Sequence, residues 1–216
     1  MLRNFFHQNN FWAILILILL VIFSLLLSDF LKVKNKNREE ILRKIPHIII
    51  GVIFSLAPIF MTRNEILISA VILFFGVWAG KYSPFFKSVF SIRRISYGMW
   101  MTPLSLGIMS WIWLPKNIIP FMVGMFILAF SDAFAALVGK LWAKKKIAWT
   151  EKTFLGSFSF FLSSFLILWF FSKDFSFWKI SFISFVLTLF EIILIFGLDN
   201  LFLPIISSYL FHWFLF

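Results

Sequence analysis

The residues whose types and spacing could do chemistry gather in one stretch, Phe130 to Phe158, FSDAFAALVGKLWAKKKIAWTEKTFLGSF. It opens inside an apolar run that carries a single carboxylate, Asp132. Ala136, Gly139 and Ala143 follow at helical spacing, and at roughly 100° per residue these four positions lie within a ~60° stripe on one helix face. Lys140, Lys144, Lys145 and Lys146 come next, then Lys152-Thr153, and Gly156-Ser157 opens the following apolar run. One buried acid, a face without bulky side chains, five lysines and a Gly-Ser turn into a helix together suit a magnesium-bound polyphosphate. Free N–H groups at a helix start favour anions, and glycine lets phosphate oxygens approach the backbone.

The other polar residues of interest are few. Only nine acids occur, and three of them, Asp132, Glu191 and Asp199, sit within or at the ends of late apolar segments. An ionised carboxylate at bilayer depth costs at least ~2.5 kcal/mol, so each needs a partner, a cavity or a cation. For Asp132 the alternative to a cation is a structural pair with a lysine of the following connector. For Glu191 it is a hydrogen-bonded contact between helices, and for Asp199 the capping of the last helix. His47 shares a helix face with Arg43 and Lys44. It serves either a phosphate or substrate-hydroxyl site or an interfacial hydrogen bond. Pro46 before it fits a first helical turn and places the start of a span there. Lys144 to Lys146 alone would equally be a topology signal or an anionic-lipid contact. No Walker loop, G-x-G-x-x-G, H-E-x-x-H or G-x-S-x-G string is present, which removes the soluble-type kinase, zincin and hydrolase readings.

These residues must be positioned by apolar helices. The chain is 62% hydrophobic, with 33 phenylalanines in 216 residues, more apolar surface than a soluble domain can bury. The expected fold is therefore all-α, a polytopic integral membrane helix bundle of about eight transmembrane helices, or seven. The spans are 11–27, 46–61, 66–80, 97–114, 118–139, 154–171, 175–197 and 201–216, which leave no room for a separate soluble domain, so 1–216 reads as one membrane domain. The first run, with only Arg3 before it and no small-residue cleavage site behind, reads as a retained span and not a signal peptide. The connectors after spans one, three and five hold six, four and five Lys/Arg, fifteen of the twenty. The positive-inside rule places those connectors in the cytoplasm and both termini outside. The net charge of +11 is thereby a matter of topology, and no nucleic-acid partner is expected. Every polar residue singled out, from Arg43 to Asn200, then falls on or near the cytoplasmic face of a multi-pass cell-membrane protein. Cysteine is absent, so neither a disulfide nor a thiolate site is available.

At these residues the sequence resembles the CTP-dependent lipid-alcohol kinases, namely dolichol kinase, phytol kinase and the CTP-using diacylglycerol kinase, a family related to the phosphatidate cytidylyltransferases. The matching positions are Asp132, Ala135 or Ala136 and Gly139, then Lys152-Thr153 and Gly156-Ser157, and finally Asp199-Asn200-Leu201 with Pro204. Upstream, Arg43-Lys44-Ile45-Pro46-His47 is similar to the family's R-K-x-x-H, and Ser96-Tyr97-Gly98 to its mid-chain polar turn. The likeness covers residues 43–204 and leaves out the first span, 11–28. It departs at Ala143, where the family has a second glycine, and at Leu155, where it often has an acid before Gly-Ser.

The resemblance implies a membrane kinase that moves the γ-phosphate of CTP onto a lipid hydroxyl, of a polyprenol, a phytol-like alcohol or diacylglycerol. Asp132 and Asp199 would hold Mg²⁺. Lys144, Lys145 and Lys152 would neutralise the polyphosphate, with Gly139, Thr153, Gly156 and Ser157 around the nucleotide. Asp132, Lys152 and His47 would be the catalytic set, with His47 orienting the acceptor hydroxyl or touching phosphate. Arg43, Lys44, Glu191 and Asn200 would contact lipid or phosphate. The alternatives are a cytidylyltransferase that makes a CDP-lipid and, from a different class, a small membrane transporter or assembly protein.

Overall fold

The computed structural model describes residues 11–34, 39–80, 97–143, 145–148, 150, 152–173 and 176–216, with the helical backbone alone at 28, 29, 31–34 and 39–43. Among the described residues the chain is all-helical apart from connecting turns and one isolated antiparallel bridge, Lys146 with Thr153. Eight helices follow one another: α1 Phe11–Lys34, α2 Glu39–Phe60, α3 Arg63–Gly80, α4 Gly98–Trp113, α5 Ile118–Leu141, α6 Phe154–Phe171, α7 Phe177–Ile193 and α8 Asp199–Phe214. Three of them, α3, α5 and α6, are long and apolar enough to cross a membrane.

Helix starts follow local chemistry. Thr62 and Glu65 form a reciprocal capping box at α3, the Thr62 N–H donating to Glu65 Oε2 at 2.7 Å. Asn117 caps α5 by accepting from Ile119 N, and Thr153 caps α6 by accepting from Gly156 N at 3.1 Å.

Three expected boundaries are corrected. α1 continues to Lys34, beyond the apolar window that ended at 27. α2 begins at Glu39, so Pro46 lies inside the helix and not in its first turn. Apolar runs mark the part of a helix suited to lipid, and charged residues of good helical propensity extend it past that window. The seventh span ends early, at Ile193, because the link to α8 turns through Phe196 at φ 58° and Gly197 at φ 89°. That link is pinned to the start of α4. The Tyr97 N–H donates to Phe196 O at 2.8 Å, and the Asn200 side-chain amide donates to Gly98 O at 3.0 Å.

α5 is the central helix, with 61% of its apolar window buried against α2, α4, α6 and α8. Two apolar clusters flank it. One joins α1–α4 through Phe54, Ile66, Leu106 and Met109, and the other joins α6–α8 through Phe160, Leu168, Leu187 and Phe211. Fully buried serines at the helix contacts, among them Ser55, Ser69, Ser164 and Ser207, let backbones approach closely and return their hydroxyls to their own helix.

Candidate active site

Midway along α5 the residues Ile127–Ser131 form a π turn. The Asp132 N–H therefore reaches back five residues to Ile127 O, where an α turn would bond Leu128 O. The Leu128 carbonyl instead accepts from His47 Nε2 at 3.0 Å. The same nitrogen lies 3.2 Å from Asp132 Oδ2. Both neighbours are acceptors, so His47 carries its proton on Nε2.

α2 reaches this turn because Gly51 sits directly on Ala129, where a Cβ would collide with the alanine methyl. Lys44, His47 and Gly51 occupy one helix face at i, i+3 and i+7. Lys44 Nζ consequently meets Asp132 Oδ2 at 2.5 Å, with both side chains at or below 10% exposure. Asp132 does have a structural ammonium partner, but it comes from α2 and not from the connector that follows α5.

The second half of the site hangs on α6. Its N-terminus packs on α5 through two glycines: a Cβ on Gly156 would stand 3.4 Å from Gly139 Cα and 2.7 Å from the Ala135 carbonyl. A Cβ on Gly139 would stand 2.7 Å from Thr153 Oγ1. The small-residue face noted in the sequence is thus the seat of α6, with backbone excluding a Cβ at Gly156 and the Thr153 cap side chain crowding one at Gly139.

Just before α6 the chain doubles back. Ile147 N donates to Lys152 O at 2.9 Å, Lys152 N donates to Thr150 Oγ1 at 3.0 Å, and the Lys146–Thr153 bridge closes the loop. This fold-back directs the Lys152 side chain inward. Its Nζ lies 2.6 Å from Glu191 Oε1 on α7 and 3.3 Å from Asp199 Oδ2 at the start of α8. Glu191 is almost wholly buried, and its second oxygen accepts from Ser157 Oγ at 3.2 Å. Asp199 Oδ1 accepts from Asn200 N at 3.0 Å, so the residue also serves its helix start, one position inside the cap residue Leu198. Burial works against a charged Lys152, but Glu191, Asp199 and Asp132 outweigh it and raise its pKa above the ordinary lysine value.

Five elements thus bring Lys44, His47, Asp132, Lys152, Glu191 and Asp199 to one place. Among the described residues the cluster sets three carboxylates against two ammonium groups, with His47 at its edge. Lys140, Lys145 and Lys146 are exposed and outside it. Lys144 and the side chain of Arg43 lie outside the described residues. Gly139, Gly156, Thr153 and Ser157 are all at the site, the first three as packing and capping residues and Ser157 as the donor to Glu191. Asn200 ties α8 to α4. What sequence reasoning missed is the π turn, the seat of α2 on Ala129 and the direct Lys152–Glu191 pair. The pair has the one available signal, a lone acid in an apolar helix, while the π turn has none in residue type or spacing.

The donors present are hard carboxylate oxygens of the kind magnesium takes. Among the described residues no three His, Cys, Asp or Glu side chains are grouped to hold a metal by themselves. A Mg²⁺ here would draw most of its ligands from phosphate and water, as that ion commonly does. On the Asp132 side, contacts with described residues fall on Oδ2. The donor set therefore fits a phosphate-borne cation and does not resemble an all-protein cage. Comparison with protein-family models, with curated proteins and with solved structures returns no match to this chain.

Proposed function

We propose that this chain is a multi-pass membrane kinase that transfers the γ-phosphate of CTP to a lipid hydroxyl at the cytoplasmic face. The observation that carries the reading is the charged cluster, with three carboxylates, two lysines and a histidine drawn from five separate elements into the interior of an otherwise apolar bundle. Buried charge on this scale is costly and marks function more than stability. Membrane embedding is supported by the three long apolar helices and by large apolar side chains turned outward, such as Phe170, Trp178 and Phe182. The cytoplasmic placement rests on the charge asymmetry of the connectors, and CTP rests on the family resemblance.

Phosphoryl transfer asks a protein mainly for positioning and charge neutralisation. The acceptor oxygen forms a bond to the γ-phosphorus, the bond from that phosphorus to the bridging oxygen breaks, CDP leaves, and the hydroxyl proton passes to water. Asp132 and Asp199 would hold Mg²⁺, which when bound neutralises charge on the phosphate oxygens. Lys152, held on Glu191, supplies a fixed positive charge beside them. His47 offers its Nε2 proton toward Asp132 and the Leu128 carbonyl, a position from which it orients the acceptor or contacts phosphate. The lipid tail would lie between apolar helices, with donor and acceptor meeting at the interface.

The test is purified protein in liposomes with Mg²⁺, γ-labelled CTP and a panel of prenols, phytol and diacylglycerol. Label in an organic-extractable lipid supports the reading and names the acceptor class. Pyrophosphate release on adding a phospholipid would replace it with CDP-lipid synthesis.

A further inference from the structure

Lys152 faces Asp199 Oδ2, an oxygen that a divalent cation held by Asp199 would share. Its Nζ is 2.6 Å from Glu191 Oε1 but 3.3 Å from Asp199 Oδ2, so Glu191 holds the ammonium and Asp199 is the looser partner. Glu191 is sealed in, at 1% side-chain exposure and with its other oxygen taken by Ser157. Asp199, at 14%, retains access from outside. On the far side of the cluster Lys44 covers Asp132 in the same manner.

We infer that Lys152 is a built-in counter-ion of Asp199 which a divalent cation must displace, so that bare cation is disfavoured and cation and polyphosphate enter together. The inference rests on the proposed polyphosphate site and adds the order in which it fills. An ammonium and a dication compete for the same carboxylate lone pairs, and at a separation of a few ångströms in a poorly solvated site they repel strongly. A polyphosphate removes that penalty, because its oxygens accept from the ammonium in place of Asp199 while Glu191 Oε1 remains its other acceptor. Binding of either component then favours the other by the same factor. A lysine fixed between two carboxylates is in this sense a latch, closed by Asp199 and opened toward phosphate, with Glu191 as its hinge.

The probe is Mn²⁺ alone, its free concentration read by electron paramagnetic resonance with the detergent-solubilised protein, then repeated with CTP. The informative variant is Lys152→Met with Glu191→Gln, which removes both members of the buried pair and strands no charge. It is expected to bind Mn²⁺ alone about tenfold tighter than the wild type, while CTP tightens Mn²⁺ far less than in the wild type. Lys152→Arg, which keeps the charge, is expected to remain as weak for bare Mn²⁺ as the wild type. Should the double variant fail to fold, Lys152→Gln with Glu191→Gln, an amide pair that again strands no charge, carries the same comparison. Equal or weaker Mn²⁺ binding by the charge-removing variant overturns the inference. Failure of the kinase reading is separate, because it shows as absence of labelled lipid whatever the Mn²⁺ affinities.

Discussion

Replacement of Gly156 by alanine tests the contact that holds both halves of the site together. The added Cβ would stand 2.7 Å from the Ala135 carbonyl oxygen and 2.9 Å from Thr153 Oγ1. Both distances fall short of van der Waals separation by roughly half an ångström or more. The first obstacle is backbone in the middle of α5, so no side chain can swing aside, and α6 must move away as a unit. Overpacking of this kind costs about 1–3 kcal/mol. Displacing Thr153 would weaken its cap on Gly156 N and add about 1 kcal/mol. Lys152, next to Thr153 in sequence, would lose register with Glu191 and Asp199, so activity should fall further than stability does. The assay is reversible unfolding in mixed micelles alongside lipid phosphorylation. Gly76→Ala serves as control, because a Cβ there meets nothing within 4 Å. Unfolding and activity of Gly156→Ala equal to the control would refute the close α5–α6 seat, and with it the positioning of Lys152.

Other variants probe the site one group at a time. Lys152→Met should lose about 3–5 kcal/mol, because Glu191 is left charged and buried, and Glu191→Gln in the same chain should recover most of it. A double-mutant cycle by unfolding checks this, and near-zero coupling would contradict the pair. The folded-state pKa of Lys152 is raised, so the stability it contributes is present in full below the unfolded-state lysine pKa and is lost as pH rises through the folded value. The stability gap between wild type and Lys152→Met should therefore narrow as pH rises into the strongly alkaline range. Asn200→Ala should cost about 1 kcal/mol by removing the amide bond to the Gly98 carbonyl, which keeps its bond from Thr102 Oγ1, and hydrogen exchange should report a loosened start of α4.

Much of the fold was legible because the hydrophobic solvent requirement is written into long stretches of residues. The six apolar segments from 66 to 216 each coincide with a helix, displaced at most by a few residues at the ends. Boundaries went wrong where the criterion was apolarity alone, since Lys32 and Lys34 and the Glu39–Lys44 run are helical without being apolar. At the site, Asp132, Lys152, His47 and Asp199 stood out because isolated charges in apolar runs are costly. Their partners could not be read. Lys44 reaches Asp132 only because Gly51 lets α2 settle onto a π turn, and nothing in residue order announces either. The sequence points to phosphate access at Gly139 and Gly156, and the structure gives them a contact with each other that depends on two helices meeting at a particular depth.

The most direct test of the central claim is transfer of label from γ-labelled CTP to lipid by wild type and Asp132→Asn side by side. The two proteins would be matched for folding by their unfolding transitions. The account predicts label in an organic-extractable lipid with wild type and loss of turnover with Asp132→Asn. Undiminished transfer by the folded Asp132→Asn protein would contradict the role given to that carboxylate, and absence of nucleotide turnover with every lipid alcohol would contradict the kinase itself.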